Sequence, residues 1–72
     1  MTRLSPSEYD ALERAVSDGS RVVITRRGSE FVVTIVRLEL SSGRERLDAL
    51  HPTTGEPIAF YIDDVDSIEV IR

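Results

Sequence analysis

Three sets of residues in this sequence have side chains that could do chemistry, and spacing decides what each set can be. His51 is the only imidazole, and there is no Cys. Zinc takes three or four N, S or O ligands, and a nucleophilic Ser needs a base beside it. His51 therefore has no companions for either task, and next to Pro52 at a strand end it reads as a surface-loop residue. Asp63, Asp64 and Asp66 form an acidic cluster broken by Val65. Hard cations take six or more oxygens, but the Gly and distal Glu of a calcium loop are missing here. A glycosidase-type carboxylate pair needs a cleft between its acids, and a chain this short has little room for one. The cluster reads as a solvated corner in which Asp63 or Asp64 caps a short turn. The third set is Arg21, Arg26 and Arg27, with Arg37 on a neighbouring strand. Guanidinium groups fork onto phosphates and stack on bases, so Arg21, Arg26, Arg27 and Tyr61 are the candidates for binding nucleic acid. Glu30, Glu39 and Asp48 are candidate cross-strand partners for those charges.

Composition narrows these options. The chain has 72 residues, its nine basic residues are all Arg, and its 13 acids bring the formal charge to −4. This length suits one domain, residues 1–72. A core of this size buries only roughly 60% of the surface its unfolded chain exposes, so its stability is small or shared with a partner. The absence of Cys excludes disulfides, thiol chemistry and Cys-ligated zinc. Excess negative charge is repelled by phosphate, which weighs against a general nucleic-acid binder unless the Arg residues cluster. The charge is uneven: residues 1–36 sum to zero and residues 37–72 carry the whole surplus. Such a half can be solubilising, or it can complement a basic protein surface. No apolar run reaches the roughly 18 residues of a membrane span, and Met1–Pro6 has no apolar stretch of the kind a leader needs. The expectation is a cytoplasmic protein with no cofactor, no metal and no membrane partner.

The elements that must position these side chains follow from periodicity. Ser5, Pro6 and Glu8 are the N-cap, first helical residue and third residue of a capping box. Tyr9, Leu12, Ala15 and Val16 make one apolar stripe, and Gly19 is the natural residue to end the turn. A helix over about 6–18 results, too short to stand alone. Beyond it the period becomes two. Strands are expected over Arg21–Arg27, Glu30–Leu40, Arg44–Leu50, Pro57–Ile62 and Ser67–Ile71. Turns fall at Gly28-Ser29, Ser41–Gly43 and Pro52–Pro57, with a one-turn 3₁₀ segment near Asp63–Asp66. In the long strand both Val32, Val36, Leu38, Leu40 and Phe31, Val33, Ile35 are apolar, which implies cover on both sides, by the helix or by another copy of the chain. A short meander must hide its edges. The fold expected is mainly β: a short N-terminal helix followed, over about 20–72, by a five-stranded, strongly bent small barrel of Sm-like or SH3-like plan.

Two stretches add a resemblance. Tyr9-Asp10-Ala11-Leu12-Glu13-Arg14-Ala15 reads Y-D-x-L-E-x-A, and Ile62-Asp63-Asp64-Val65-Asp66-Ser67-Ile68 closes the last corner. Over most of its length the chain resembles the Rof family, the Rho-binding antiterminators, which open with such a helix, continue as an Sm-like barrel and end with a D-x-I-x-S turn. The family's Cys-containing N-terminal stretch has no counterpart here, and the middle strands align only by pattern. The resemblance implies a non-enzymatic regulator that binds the hexameric termination factor Rho, obstructs its RNA-binding surface and lowers termination. By position, Tyr9, Asp10 and Glu13 are then the candidate partner-binding residues. Val22–Gly28 with Phe31-Val32-Val33 is similar to the first hairpin of Phd/YefM-type antitoxins, but three further strands follow where those proteins have helices. The alternatives are an Sm-like module for RNA or single-stranded DNA, and an oligomeric interaction domain.

Overall fold

The computed structural model describes residues 4–71; Met1–Arg3, weighed above as part of a leader, and Arg72 lie outside the described residues. Helix α1 runs Pro6–Asp18, followed by strands β1 (Arg21–Arg26), β2 (Ser29–Ser41), β3 (Arg44–Leu50) and β4 (Pro57–Tyr61). A 3₁₀ turn, Ile62–Asp64, leads to β5 (Ser67–Val70). The cap of α1 forms as its residues dictate. Ser5 Oγ accepts from the Glu8 N–H at 3.2 Å, and the Glu8 carboxylate accepts from the Ser5 N–H at 2.9 Å. These bonds, above all the one from the Ser5 backbone, hold the Glu8 carboxyl below its usual range.

The five strands form one antiparallel sheet in the order β4-β3-β2-β1-β5. β4 and β5 are its two edges, and no ladder joins them among the described residues. Both tight hairpin turns put two successive residues in the left-handed region, Arg27-Gly28 at φ 52° and 80° and Ser42-Gly43 at 52° and 78°. That is the pattern of a two-residue turn matched to strand twist.

One face of the sheet carries the core. Val22 and Ile24 of β1, Val33 and Ile35 of β2, Leu47 and Ala49 of β3 and Phe60 of β4 are buried, together with Leu4, Leu12, Ala15, Ile62 and Val65. The helix lies over β2 and β5 on this face. β2 resolves its double-sided apolar pattern differently from the sequence expectation. Val32 and Val36 do not share a covered face with Leu38 and Leu40: Val32, Val36 and Leu40 are exposed. The register between β2 and β3 shifts between Ile35 and Arg37, a bulge at Val36. One extra residue moves the inward positions from odd to even numbers. Val33 and Ile35 point into the core before the bulge, and Leu38 packs on it after.

Candidate functional site

The helix sits on the sheet with a groove along its flank. Tyr9, Glu13 and Ser17 fall on one side of α1 by their spacing. Tyr9 is half-buried against the core, whereas Asp10 and Glu13 are exposed. Tyr9, Glu13, Val16 and Ser17 face Val36, Arg37 and Leu38 of β2 across a groove of about 260 Å³. Beyond Tyr9 a second hollow of about 320 Å³ continues the groove past Leu38 and Leu40 to Glu39, Glu45 and Leu4. Glu45 closes this end by accepting from the Leu4 N–H at 3.3 Å. Of the three helix positions taken from the family resemblance, Tyr9 and Glu13 line the groove, whereas Asp10 is exposed and lines neither hollow. The bulge brings Val36, 52% exposed, to its rim.

The four residues singled out for nucleic acid are not brought together. Arg26 and Arg27 share a cleft of about 390 Å³ with Ser29, Phe31 and Asp64. Arg21 is at the opposite end of β1. Tyr61 belongs to another surface, where its ring lies 3.9 Å beneath the Arg44 guanidinium.

That surface is a charge lattice which the sequence disclosed only in part. Arg37 pairs with Asp48 at 3.1 Å, as its cross-strand register requires, and with Glu39 at 3.4 Å. Arg46 bonds Glu39 and has its Nε 3.2 Å from Asp48 Oδ1. Partial desolvation alone would lower the Arg46 pKa, but the charges of Asp48 and Glu39 outweigh it and the net shift is upward. Arg44 grips Asp63 with two bonds, Nη2–Oδ1 at 2.7 Å and Nε–Oδ2 at 3.0 Å, and reaches Asp64 at 3.5 Å. The grip holds the Asp63 carboxyl below its usual range, against a smaller opposing effect of desolvation. It raises the Arg44 pKa correspondingly. The acidic corner is therefore clamped by an arginine. Neither Asp63 nor Asp64 caps the 3₁₀ turn, whose N-cap is Tyr61 without a side-chain bond. Asp66 instead accepts from the Gly28 N–H at 3.4 Å. Among the described residues no three His, Cys, Asp or Glu side chains are placed to hold a metal ion. No helix is long and apolar enough to cross a membrane.

Sequence reading missed Arg44, and it missed the environment of Arg26. The signal for Arg26 was available. It continues the inward set Val22, Ile24 by twos, so its aliphatic stem belongs to the core face. Its guanidinium ends 5.0 Å from the ring centroids of both Phe31 and Phe60, which meet edge to face at 5.4 Å.

Compared with protein-family models, with curated proteins and with solved structures, the chain matches none.

Proposed function

We propose that this chain is a non-enzymatic binding protein that presents the α1–β2 groove to a basic protein surface, in the manner the Rof resemblance implies for Rho. The observation that carries the reading is the groove itself. Tyr9, Val36, Leu38 and Leu40 supply apolar area, and Glu13, Glu39 and Glu45 supply negative charge around it, with the exposed Asp10 three residues before Glu13 on the same helix. A surface built to hold RNA is basic, and an acidic rim with an apolar floor complements it. Arg37, the only cation lining the groove among the described residues, is already paired with Asp48 and Glu39.

The same reading takes the sheet to be a half-open small barrel of Sm-like plan. Edges of a flat five-stranded sheet lie about 19 Å apart at the usual strand spacing. Here only Ile62–Asp66 connects β4 to β5. Three of those residues are in a 3₁₀ turn, which rises only about 2 Å per residue. Contact between Phe31 of β2 and Phe60 of β4 across β3 also favours a curl.

The test is co-sedimentation with purified Rho hexamer at low ionic strength. A complex is expected, weakened at least tenfold by the double substitution Asp10→Arg, Glu13→Arg, since like charges at an interface cost several kcal/mol. Failure of the wild-type chain to co-sediment with Rho would overturn the assignment.

A further inference from the structure

The cleft at the β1–β2 turn has features that the groove on the helix does not explain. Arg37, Arg44 and Arg46 are all tied to carboxylates. Arg26 and Arg27 are adjacent, share one cleft, and have no carboxylate within 4 Å among the described residues. The nearby acids are engaged elsewhere, Asp64 with Arg44 and Asp66 with the Gly28 N–H. Arg26 is held in place, because its guanidinium lies over two aromatic rings. Cation–π contact fixes the stem and plane without consuming the N–H donors at the edge.

Arg27 supplies an independent observation. It sits at φ 52° in the first central position of a two-residue turn. That position favours Asn, Asp or Gly, and an Arg there is strained. Nothing inside the fold uses its side chain: it is exposed, and no hydrogen bond or ion pair engages its guanidinium among the described residues. A strained turn residue with a free guanidinium, beside a second guanidinium locked by stacking and next to the Ser29 hydroxyl, is a fork for an oxyanion.

We propose that Arg26, Arg27 and Ser29 form a site for two consecutive phosphodiesters of a single-stranded nucleic acid. Asp64 is held by Arg44, so the cleft offers two positive charges, one for each singly charged diester. This site is separate from the α1–β2 groove, so its test does not depend on Rho.

The experiment is fluorescence anisotropy of labelled oligothymidylate and oligouridylate, titrated with the full chain at several low salt concentrations. Two phosphate contacts on a single strand predict a log–log salt slope of about −1.4, from roughly −0.7 per contact. Arg27→Asn should cut that slope by about half while raising the melting temperature, because Asn suits the left-handed turn. A purely structural role for Arg27 would not separate those two readouts. Arg26→Gln should also lower the slope, and Arg14→Gln on the exposed face of α1 should leave it unchanged. If Arg26→Gln does not fold, Arg27→Asn alone decides. The proposal is overturned by no binding at the lowest salt, by a slope that Arg27→Asn leaves intact, or by equal competition from a hexaglutamate peptide. Weaker competition from inorganic phosphate than from unlabelled oligonucleotide supports the diester; the reverse order rejects it.

Discussion

The outward face of the sheet has two unlike halves, divided at Val36. Before the bulge its middle is apolar and bare, with Arg21 and Glu30 toward the strand ends: Val32 pairs with Val23, Thr34 with Leu50, and Val32, Leu50 and Ile71 are 43%, 36% and 45% exposed. After the bulge the same face is a lattice of alternating charge, Arg37 with Asp48, Arg46 with Glu39, and Arg44 with Asp63. The two halves belong to one strand and rest on one core. They differ because a single extra residue changes which side chains face outward. Were Val36 an ordinary strand residue and not a bulge, Arg37 and Glu39 would follow Val33 and Ile35 inward, and Leu38 would face solvent.

That makes Ile35→Asp the most severe way to break the contrast, because it puts a charge on the core side just before the bulge. Ile35 is 2% exposed, and leaving an uncompensated charge buried costs about 3–5 kcal/mol. A domain this small has little more than that to lose. The expected outcome is a chain without a cooperative thermal transition and with a collapsed dispersion of amide resonances. Deletion of Val36, by contrast, joins Ile35 to Arg37 in a regular strand with the same facing, and should leave a cooperative fold. An Ile35→Asp chain that melts as sharply as the parent, or a Val36-deleted chain that does not fold, would show that the facing of β2 is not the one the bulge sets.

A smaller effect sharpens the same contrast by comparing the two sides of β3. Leu47 is fully buried beneath the lattice, while Leu50 at the end of the same strand is half-exposed on the apolar half. Leu47→Ala should cost about 2–5 kcal/mol, from lost transfer energy and the cavity left behind. Leu50→Ser should fall within about 0.5 kcal/mol of the parent, as surface substitutions away from special features do. Urea unfolding measures both. Similar losses at the two positions would mean that the bare half is covered in solution, by a second copy of the chain for instance.

Much of this was legible in the sequence, and what was not has a definite cause. The capping box, the Gly19 stop, the five strands and the turns at Gly28 and Gly43 are local signals, decided by residues within a few positions of one another. β3 was bounded at Arg44 and Leu50 by the sequence and is bounded there in the structure. The facing of β2 was not legible. A strand apolar on both sides is compatible with either parity, and a bulge without Gly or Pro leaves no mark. The candidate site divided in the same way. Arg26 and Arg27 are chain neighbours and had to lie together. Arg21 is separated from them by the length of β1, and Tyr61 alternates away from Phe60 to the opposite face. The Arg44–Asp63 clamp joins residues 19 apart, and only the register of β3 with β4 and the 3₁₀ turn brings them into reach.

That clamp also yields the smallest expected effect, and it lies on the charged half alone. Asp63 and Glu8 have folded-state pKa values below their ordinary 3.8 and 4.5. A depressed carboxyl stabilises the fold fully above its unfolded pKa, and that contribution disappears as pH falls through the folded value. Stability should therefore be level from neutrality down to about pH 5 as far as these two groups are concerned. It should then decline below about pH 4.5. Asp63→Asn removes one of the two titrations and retains a side-chain carbonyl for Arg44 to bond. The variant should be slightly less stable than the parent at neutral pH and converge with it toward pH 2–3, a range given by the approximate carboxylate values. High salt should narrow the gap at neutral pH, because the pair is exposed and screened. Parallel stability curves for parent and variant over the acid range would show that Arg44 does not hold Asp63 in solution. The charged half of the face would then be a set of solvated side chains, and only the bulge beneath it would distinguish the two halves.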